Sequence, residues 1–146
     1  MNLDGEEILK YIEEANEILK RAYVPYSKFP VAALLIDEKG KKHRGVNVEN
    51  ASYGLTVCAE RNVIPTAVTE GMKKIKILVV TGGTPEPISP CGACRQFISE
   101  FSDEDTIIIL ANKEMKYKIF KISELLPYSF VYCHLPIRPI LRYQNH

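Results

Sequence analysis

The chain has 146 residues, 46% hydrophobic and 25% charged, with 19 Lys and Arg against 18 Asp and Glu for a formal net charge of +1. That length predicts a single domain over residues 1–146 with a core of its own, and the missing basic surplus argues against a nucleic-acid partner held through its phosphates. No apolar run reaches the about 20 residues of a membrane span, and the acidic start Met1-Asn2-Leu3-Asp4-Gly5-Glu6-Glu7 is no export signal, so a cytoplasmic protein with no membrane association is expected.

Residues 4–22 read as an amphipathic helix. Ile8, Ile12, Ala15, Leu19 and Ala22 recur at helical spacing, with Asp4 and Glu7 placed to cap its start. Pro25 and Pro30 end the pattern. The apolar run Val31–Asp37 predicts a buried strand, Glu38-Lys39-Gly40 a tight turn, and Lys41–Val48 a strand returning antiparallel. A second helix is expected over Thr56–Glu70, capped by Gly71 and bent or interrupted at Pro65. Ile75–Thr81 reads as a strand, Gly82–Pro90 as a loop, and Cys91–Phe101 as a third helix. Thr106–Leu110 and Tyr117–Ile122 read as two further strands, and the stretch from Pro127 onward has no clear period. The basic runs Lys41–Arg44 and Lys73–Lys76 read as solvated edges. A hairpin followed by alternating helices and strands gives an α/β domain, with a mixed sheet of about five strands and helices on its faces.

Two short segments carry the chemistry: Cys58-Ala59-Glu60 and Pro90-Cys91-Gly92-Ala93-Cys94, each where a loop enters a helix. Cys91 and Cys94 are three apart, so on a first helical turn their sulfurs share one face and one metal ion, and Cys58 supplies a third thiolate. With no export signal, these cysteines read as reduced ligands and not as disulfides. Three protein ligands, an open fourth position for water, and a neighbouring carboxylate are what zinc deaminases of nucleobases require. Glu60 is the carboxylate, placed to move protons between water and substrate. The reaction implied is addition of a zinc-activated hydroxide at C4 of a cytosine ring, followed by loss of ammonia. Three thiolates on Zn²⁺ leave one net negative charge, which two helix N-termini oppose. Arg61 and Arg95 are expected to oppose it as well, by donating hydrogen bonds to the thiolates. The alternative is a four-cysteine zinc staple with Cys133 as the fourth ligand. Cys133, in Phe130-Val131-Tyr132-Cys133-His134, reads instead as a buried free thiol. His43, His134 and His146 lack metal-ligand spacing and are expected to have no special role.

The chain resembles the small, homotetrameric cytidine deaminases. The resemblance is carried by Tyr26-Ser27-Lys28-Phe29, Gly45-Val46-Asn47-Val48-Glu49-Asn50-Ala51-Ser52-Tyr53, Cys58-Ala59-Glu60-Arg61, Ser89-Pro90-Cys91-Gly92-Ala93-Cys94-Arg95-Gln96 and Glu124-Leu125-Leu126-Pro127. It implies a three-layer α/β/α sandwich, one Zn²⁺ per subunit, and hydrolytic deamination of cytidine and 2′-deoxycytidine in pyrimidine salvage. It also implies that Asn47 and Glu49 hold the ribose 3′-hydroxyl; as alternate residues of a strand end they can face one side. A carboxylate there disfavours a 3′-phosphate, so a free nucleoside is expected over DNA or RNA. By the same resemblance Phe29 flanks base and sugar, the Ala59 backbone bonds the pyrimidine carbonyl, and the Ser89 carbonyl lies near the departing amine. Ala51, Tyr53 and Phe130 complete the site of a neighbouring subunit, with Phe130 stacking on the base across the interface. Alternatives are a sibling deaminase of a modified aminopyrimidine nucleoside such as blasticidin S, or a non-catalytic zinc scaffold. The chain departs from the family pattern at Ala32, where Gly is usual, and at Asn62-Val63-Ile64-Pro65, which places Asn62 close to the metal and bends the helix. The tail from Arg138 to His146 exceeds the usual length.

Overall fold

The computed structural model describes residues 3–131. Helix α1 spans Gly5–Ile18; Asp4 caps it by accepting the Glu7 amide at 2.8 Å, and Ile8, Ile12, Ala15 and Ile18 are buried along one stripe. It ends four residues short of the predicted end. Leu19–Arg21 tighten into a 3₁₀ turn, and the chain turns extended at Ala22 because the Tyr23 amide is committed to the Asn47 carbonyl at 3.1 Å.

Strands β1 (Val31–Asp37), β2 (Lys42–Val46), β3 (Ile75–Gly82), β4 (Ile107–Asn112) and β5 (Tyr117–Phe120) form one mixed sheet in the order β2-β1-β3-β4-β5. Among these adjacent pairs only β3 and β4 are parallel. Helices α2 (Ala59–Thr69), α3 (Gly92–Glu100) and the short α4 (Ile122–Leu125) complete the order. Alternate strand residues face opposite ways. Ala32, Leu34, Ile36, Ile77, Val79, Ile109 and Ala111 close on α1, while Ala33, Leu35, Leu78, Val80, Ile108 and Leu110 close on Val63, Ile64 and Ala67 of α2, Ile98 of α3 and Leu125 of α4. The expected three-layer α/β/α sandwich is the observed one.

The sheet also aligns the loops. β1 runs antiparallel to both β2 and β3, so those two run the same way. The pairs Ala32↔Val46 and Val31↔Gly82 set the start of β1 beside the ends of β2 and β3. The segments 23–30, 47–58 and 83–91 therefore meet at one end of the sheet, outside strand carboxyl ends, where open α/β sheets bind ligands.

Several predicted boundaries shift for local reasons. β2 stops at Val46, two residues early, because Val48 leaves the sheet to exchange both amide bonds with Val57 at 2.9 and 3.0 Å. That bridge holds Val57 extended, so α2 begins at Ala59 and not Thr56, and an unpredicted 3₁₀ turn, Tyr53–Leu55, fills the gap. β5 ends at Phe120; Ile122 and Leu125 bury themselves as α4 in place of a strand end. α2 runs unbroken through Pro65, where interruption was one expectation; Pro65 withholds the amide that the Arg61 carbonyl would otherwise accept. Gly71 takes φ +103, a left-handed conformation suited to the predicted helix stop. Glycine is also demanded at position 45: a Cβ there would lie 2.8 Å from the Val63 nitrogen and 2.9 Å from the Ala59 carbonyl, so α2 rests almost directly on the β2 backbone.

The basic hairpin is solvated except at His43. That ring is buried, with Nε2 2.9 Å from Asp37 Oδ2, and Asp37 Oδ1 accepts the amides of Lys39 and Lys41 at 2.9 Å. Burial raises the Asp37 pKa, but the bonds from His43, Lys41 and Lys39 outweigh it and hold the carboxyl below its usual range. Among the described residues no helix is long and apolar enough to cross a membrane.

Candidate active site

Cys58 and Cys91 occupy equivalent places. Each is the extended residue that caps a helix start, and each carbonyl accepts the first intrahelical bond at 3.0 Å, from Asn62 and Arg95 respectively. Cys94 follows one turn into α3. The three sulfurs lie within 4.8 Å of one another, compatible with about 2.3 Å ligation of a single zinc ion. No disulfide joins them. The Cys58 pKa is lowered to about 5, chiefly by the hydrogen bond from Cys94 and then by Arg61, while its neighbour Cys58 and burial push Cys94 upward. A cation among the sulfurs removes that conflict, because coordinated thiols are deprotonated outright.

The surroundings fit a metal that carries an exchangeable ligand. Glu60, the second residue of α2, is buried, and its Oε1 has no hydrogen-bond partner among the described residues. A buried carboxylate oxygen without a donor points to a proton-bearing group that belongs beside it. Burial, then the charge of Cys58, raises the Glu60 pKa. Arg61 Nη2 donates to Cys58 Sγ at 3.3 Å, and hydrogen bonds to Cys58 and Cys94 raise the guanidinium pKa further. Two helix N-termini converge on the same point, and their partial positive charge favours the thiolates. The amide of Ala59 is one of the first-turn donors that an α-helix leaves unpaired within itself.

The Asn62 side-chain amide donates to the Val46 carbonyl at 2.7 Å, fastening α2 to β2. Arg95 departs from expectation. Its Nε donates to the Pro90 carbonyl at 2.9 Å, Nη1 to the Leu125 carbonyl at 2.7 Å, and Nη2 to Ser89 Oγ at 2.7 Å. None of these acceptors is a thiolate. The guanidinium instead braces the Ser89-Pro90 turn that delivers Cys91.

Beside the sulfurs, the 23–30 segment is held in place by the two residues predicted to hold the ribose. Asn47 donates to the Phe29 carbonyl and accepts from the Val31 amide, both at 2.9 Å. Glu49 Oε1 accepts the amides of Tyr26 and Ser27 at 3.0 and 3.1 Å. The Ser27 hydroxyl, then the amides of Ser27 and Tyr26, hold the Glu49 carboxyl below its usual range. Lys28 adopts φ +58, and the exposed Phe29 ring follows it. Tyr53 is 75% exposed and meets Tyr26 edge-on at 6.0 Å; Ala51 and Phe130 are also exposed. The sequence reading missed the Asp37–His43 pair and Gln96, whose amide donates to the Phe130 carbonyl at 3.0 Å. The register Leu35↔His43 was the signal for the first, since it turns His43 inward. Gln96 had none beyond its place after Arg95. Cys133, His134 and His146 lie outside the described residues.

A cleft of about 360 Å³ lies elsewhere, along α1, lined by Glu7, Tyr11, Glu14 and Lys42 among others. It holds a Lys42–Glu14 ion pair at 2.9 Å and none of the cysteines, Glu60 or the predicted nucleoside-binding residues.

Residues 6–110 match the family described as the cytidine and deoxycytidylate deaminase zinc-binding region. The chain is 42% identical over 124 residues to the cytidine deaminase of Sporosarcina psychrophila, covering 85% of this chain and 91% of that one. It is 44% identical over 119 residues to that of Halalkalibacterium halodurans, covering 82% and 90%. Its fold matches the crystal structure of cytidine deaminase from Burkholderia pseudomallei with a TM-score of 0.79 at 36% identity, covering 88% of this chain and all of that one. The three sulfurs, the buried carboxylate beside them and these likenesses together say that the chain belongs to the cytidine and deoxycytidylate deaminase family, whose members carry a zinc-binding region.

Proposed function

We propose that the protein hydrolyses cytidine to uridine and ammonia, and 2′-deoxycytidine likewise. The observation that carries this is Glu60: a buried carboxylate with an unpaired oxygen, two residues from one of three converging thiols. A structural zinc staple has no use for it.

Zinc, when bound by Cys58, Cys91 and Cys94, supplies a Lewis acid that lowers the pKa of water. The chain's own groups do the rest. Glu60 Oε1 would accept a proton from the attacking water and pass it to the pyrimidine ring nitrogen, then accept the hydroxyl proton of the tetrahedral adduct and pass it to the leaving amine, so that two protons are taken and two are given. Its raised pKa brings it nearer neutrality, where a shuttle can both take and give. Arg61 withdraws electron density from Cys58 through its hydrogen bond. The Ala59 amide and the Ser89 carbonyl would orient the base, and Asn47 and Glu49 the sugar, with Phe29 against both. The Glu49 carboxylate would repel a 3′-phosphate, which together with the +1 charge supports a free nucleoside over nucleic acid.

The reading extends to assembly and setting. Tyr26, Phe29, Tyr53, Leu55 and Phe130 are exposed aromatic or aliphatic side chains on the segments that flank the site, the kind of surface a second copy covers. A homotetramer in which Ala51, Tyr53 and Phe130 reach a neighbouring site accounts for them. The free thiols suit a reducing cytoplasm, and the reaction suits pyrimidine salvage.

The test is ultraviolet absorbance during incubation with cytidine, for the zinc-loaded protein and for Glu60→Gln. Loss of the 4-aminopyrimidine signal with the first, and about 10²–10⁴-fold slower loss with the second at unchanged zinc content, is expected. A folded, zinc-loaded protein that leaves cytidine intact would sink the assignment and send the search to modified aminopyrimidine nucleosides.

A further inference from the structure

Two consecutive side chains of α3 reach the same C-terminal segment. Arg95 Nη1 holds the Leu125 carbonyl at 2.7 Å, and Gln96 Nε2 holds the Phe130 carbonyl at 3.0 Å. Between these two points the chain leaves α4 and turns through Tyr128, a non-glycine residue at φ +50. Adjacent helix positions point about 100° apart. Cys94, Arg95 and Gln96 thus aim one helix in three directions: at the metal site, at the Ser89–Pro90 turn with the end of α4, and at Phe130.

We propose that Gln96 is a positioning residue for the nucleoside site, fixing the Phe130 backbone against α3 and with it the direction in which the Phe130 side chain starts. The inference rests on reading Phe130 as a wall of that site, in its own subunit or a neighbouring one. The two pins do different work. Leu125 is buried and anchors α4 by its own packing, so the Arg95 bond secures a point that is already held. Phe130 is 58% exposed, and burial contributes little to its orientation. A backbone hydrogen bond there sets geometry more than stability. The bond fixes the Phe130 backbone to α3 of its own subunit, and errors of about an ångström in placing such a wall are felt in catalysis at whichever site the ring serves.

The experiment is steady-state deamination of cytidine by the zinc-loaded wild type, Gln96→Met, Gln96→Lys, Phe130→Ala and the double variant Gln96→Met/Phe130→Ala. Methionine keeps the length and removes the donor; lysine keeps a donor. Gln96→Met is expected to raise KM about 3- to 10-fold, the worth of one neutral hydrogen bond, with kcat, zinc content and Tm near the wild-type values. Gln96→Lys should restore most of the loss, and the double variant should be no worse than Phe130→Ala alone. A wild-type KM for Gln96→Met, a fall in its Tm or zinc content in place of the KM effect, or penalties that multiply in the double variant would overturn the proposal. If Phe130→Ala itself leaves KM unchanged, the reading of Phe130 fails first and Gln96 has nothing to position.

Discussion

Asn47 donates to the Phe29 carbonyl at 2.9 Å, and with its other terminal atom accepts the Val31 amide at the same distance. The complementary donor and acceptor leave one orientation for the side-chain amide. A residue assigned to the sugar is therefore also the clamp that shapes the 23–30 segment. Asn47→Ala is expected to lose both bonds, lowering stability by about 1–3 kcal/mol in thermal unfolding and raising KM for cytidine. A variant with normal KM and lowered Tm would leave Asn47 a scaffold residue only.

Arg61 stands 3.3 Å from Cys58 Sγ. Arg61→Gln should lower kcat about 10- to 100-fold, the worth of a hydrogen bond between charged groups, while Tm falls by less than the loss of a ligand would cause. The measurement is kcat and zinc content side by side. Full activity at full zinc occupancy would show that the helix termini alone offset the thiolate charge.

Gly45 has no room for a side chain against Val63 and Ala59. Gly45→Ala must push α2 off β2, and α2 carries Glu60 and Arg61. A loss of about 1–3 kcal/mol is expected, together with a fall in kcat that zinc addition does not repair. Ala32, where the family usually has glycine, makes no such demand: it is fully buried against α1 on the opposite face.

The Asp37–His43 pair predicts a pH dependence. Asp37 has a folded pKa below its unfolded value of about 3.9. Its contribution is complete above that value and is lost as pH falls through the folded pKa. The difference in Tm between wild type and Asp37→Asn should therefore be largest from neutral pH down to about pH 4, and shrink below it. A difference that stays constant through that range would remove the charge from the explanation. Taking the difference at each pH cancels the acid release of zinc, which affects both proteins.

The convergence of Cys58, Cys91 and Cys94, with Glu60 two residues from the first, was legible because both cysteine segments fall where a loop enters a helix. Arg95 was not, and the reason is local. Counting four residues from Cys91 presumes that Cys91 is helical, yet it is an extended cap at φ −68, ψ 166. The helical neighbour of Arg95 is Cys94, which points about 100° away. Arg61 was read correctly because it sits at the third position of α2, the place Cys94 holds in α3. The sheet was legible from apolar runs, whereas the end of β2 depended on the Val48–Val57 bridge, which joins residues whose sequence carries no shared pattern. His43 was misread because its charge-rich neighbours hid a ring that the hairpin register turns inward.

The pairing of Val31 with Gly82 reaches across more than fifty positions, and the segments leading from β2 to Cys58 and from β3 to Cys91 start from strand ends that this ladder and its neighbour bring into line. Closing so long a loop is a slow step in folding. Cys58 comes beside Cys91 and Cys94 only when segments far apart in sequence are paired, so the completed cluster reports on the finished fold: a chain with this ladder open keeps Cys91 and Cys94 at one helix start and lacks Cys58 beside them.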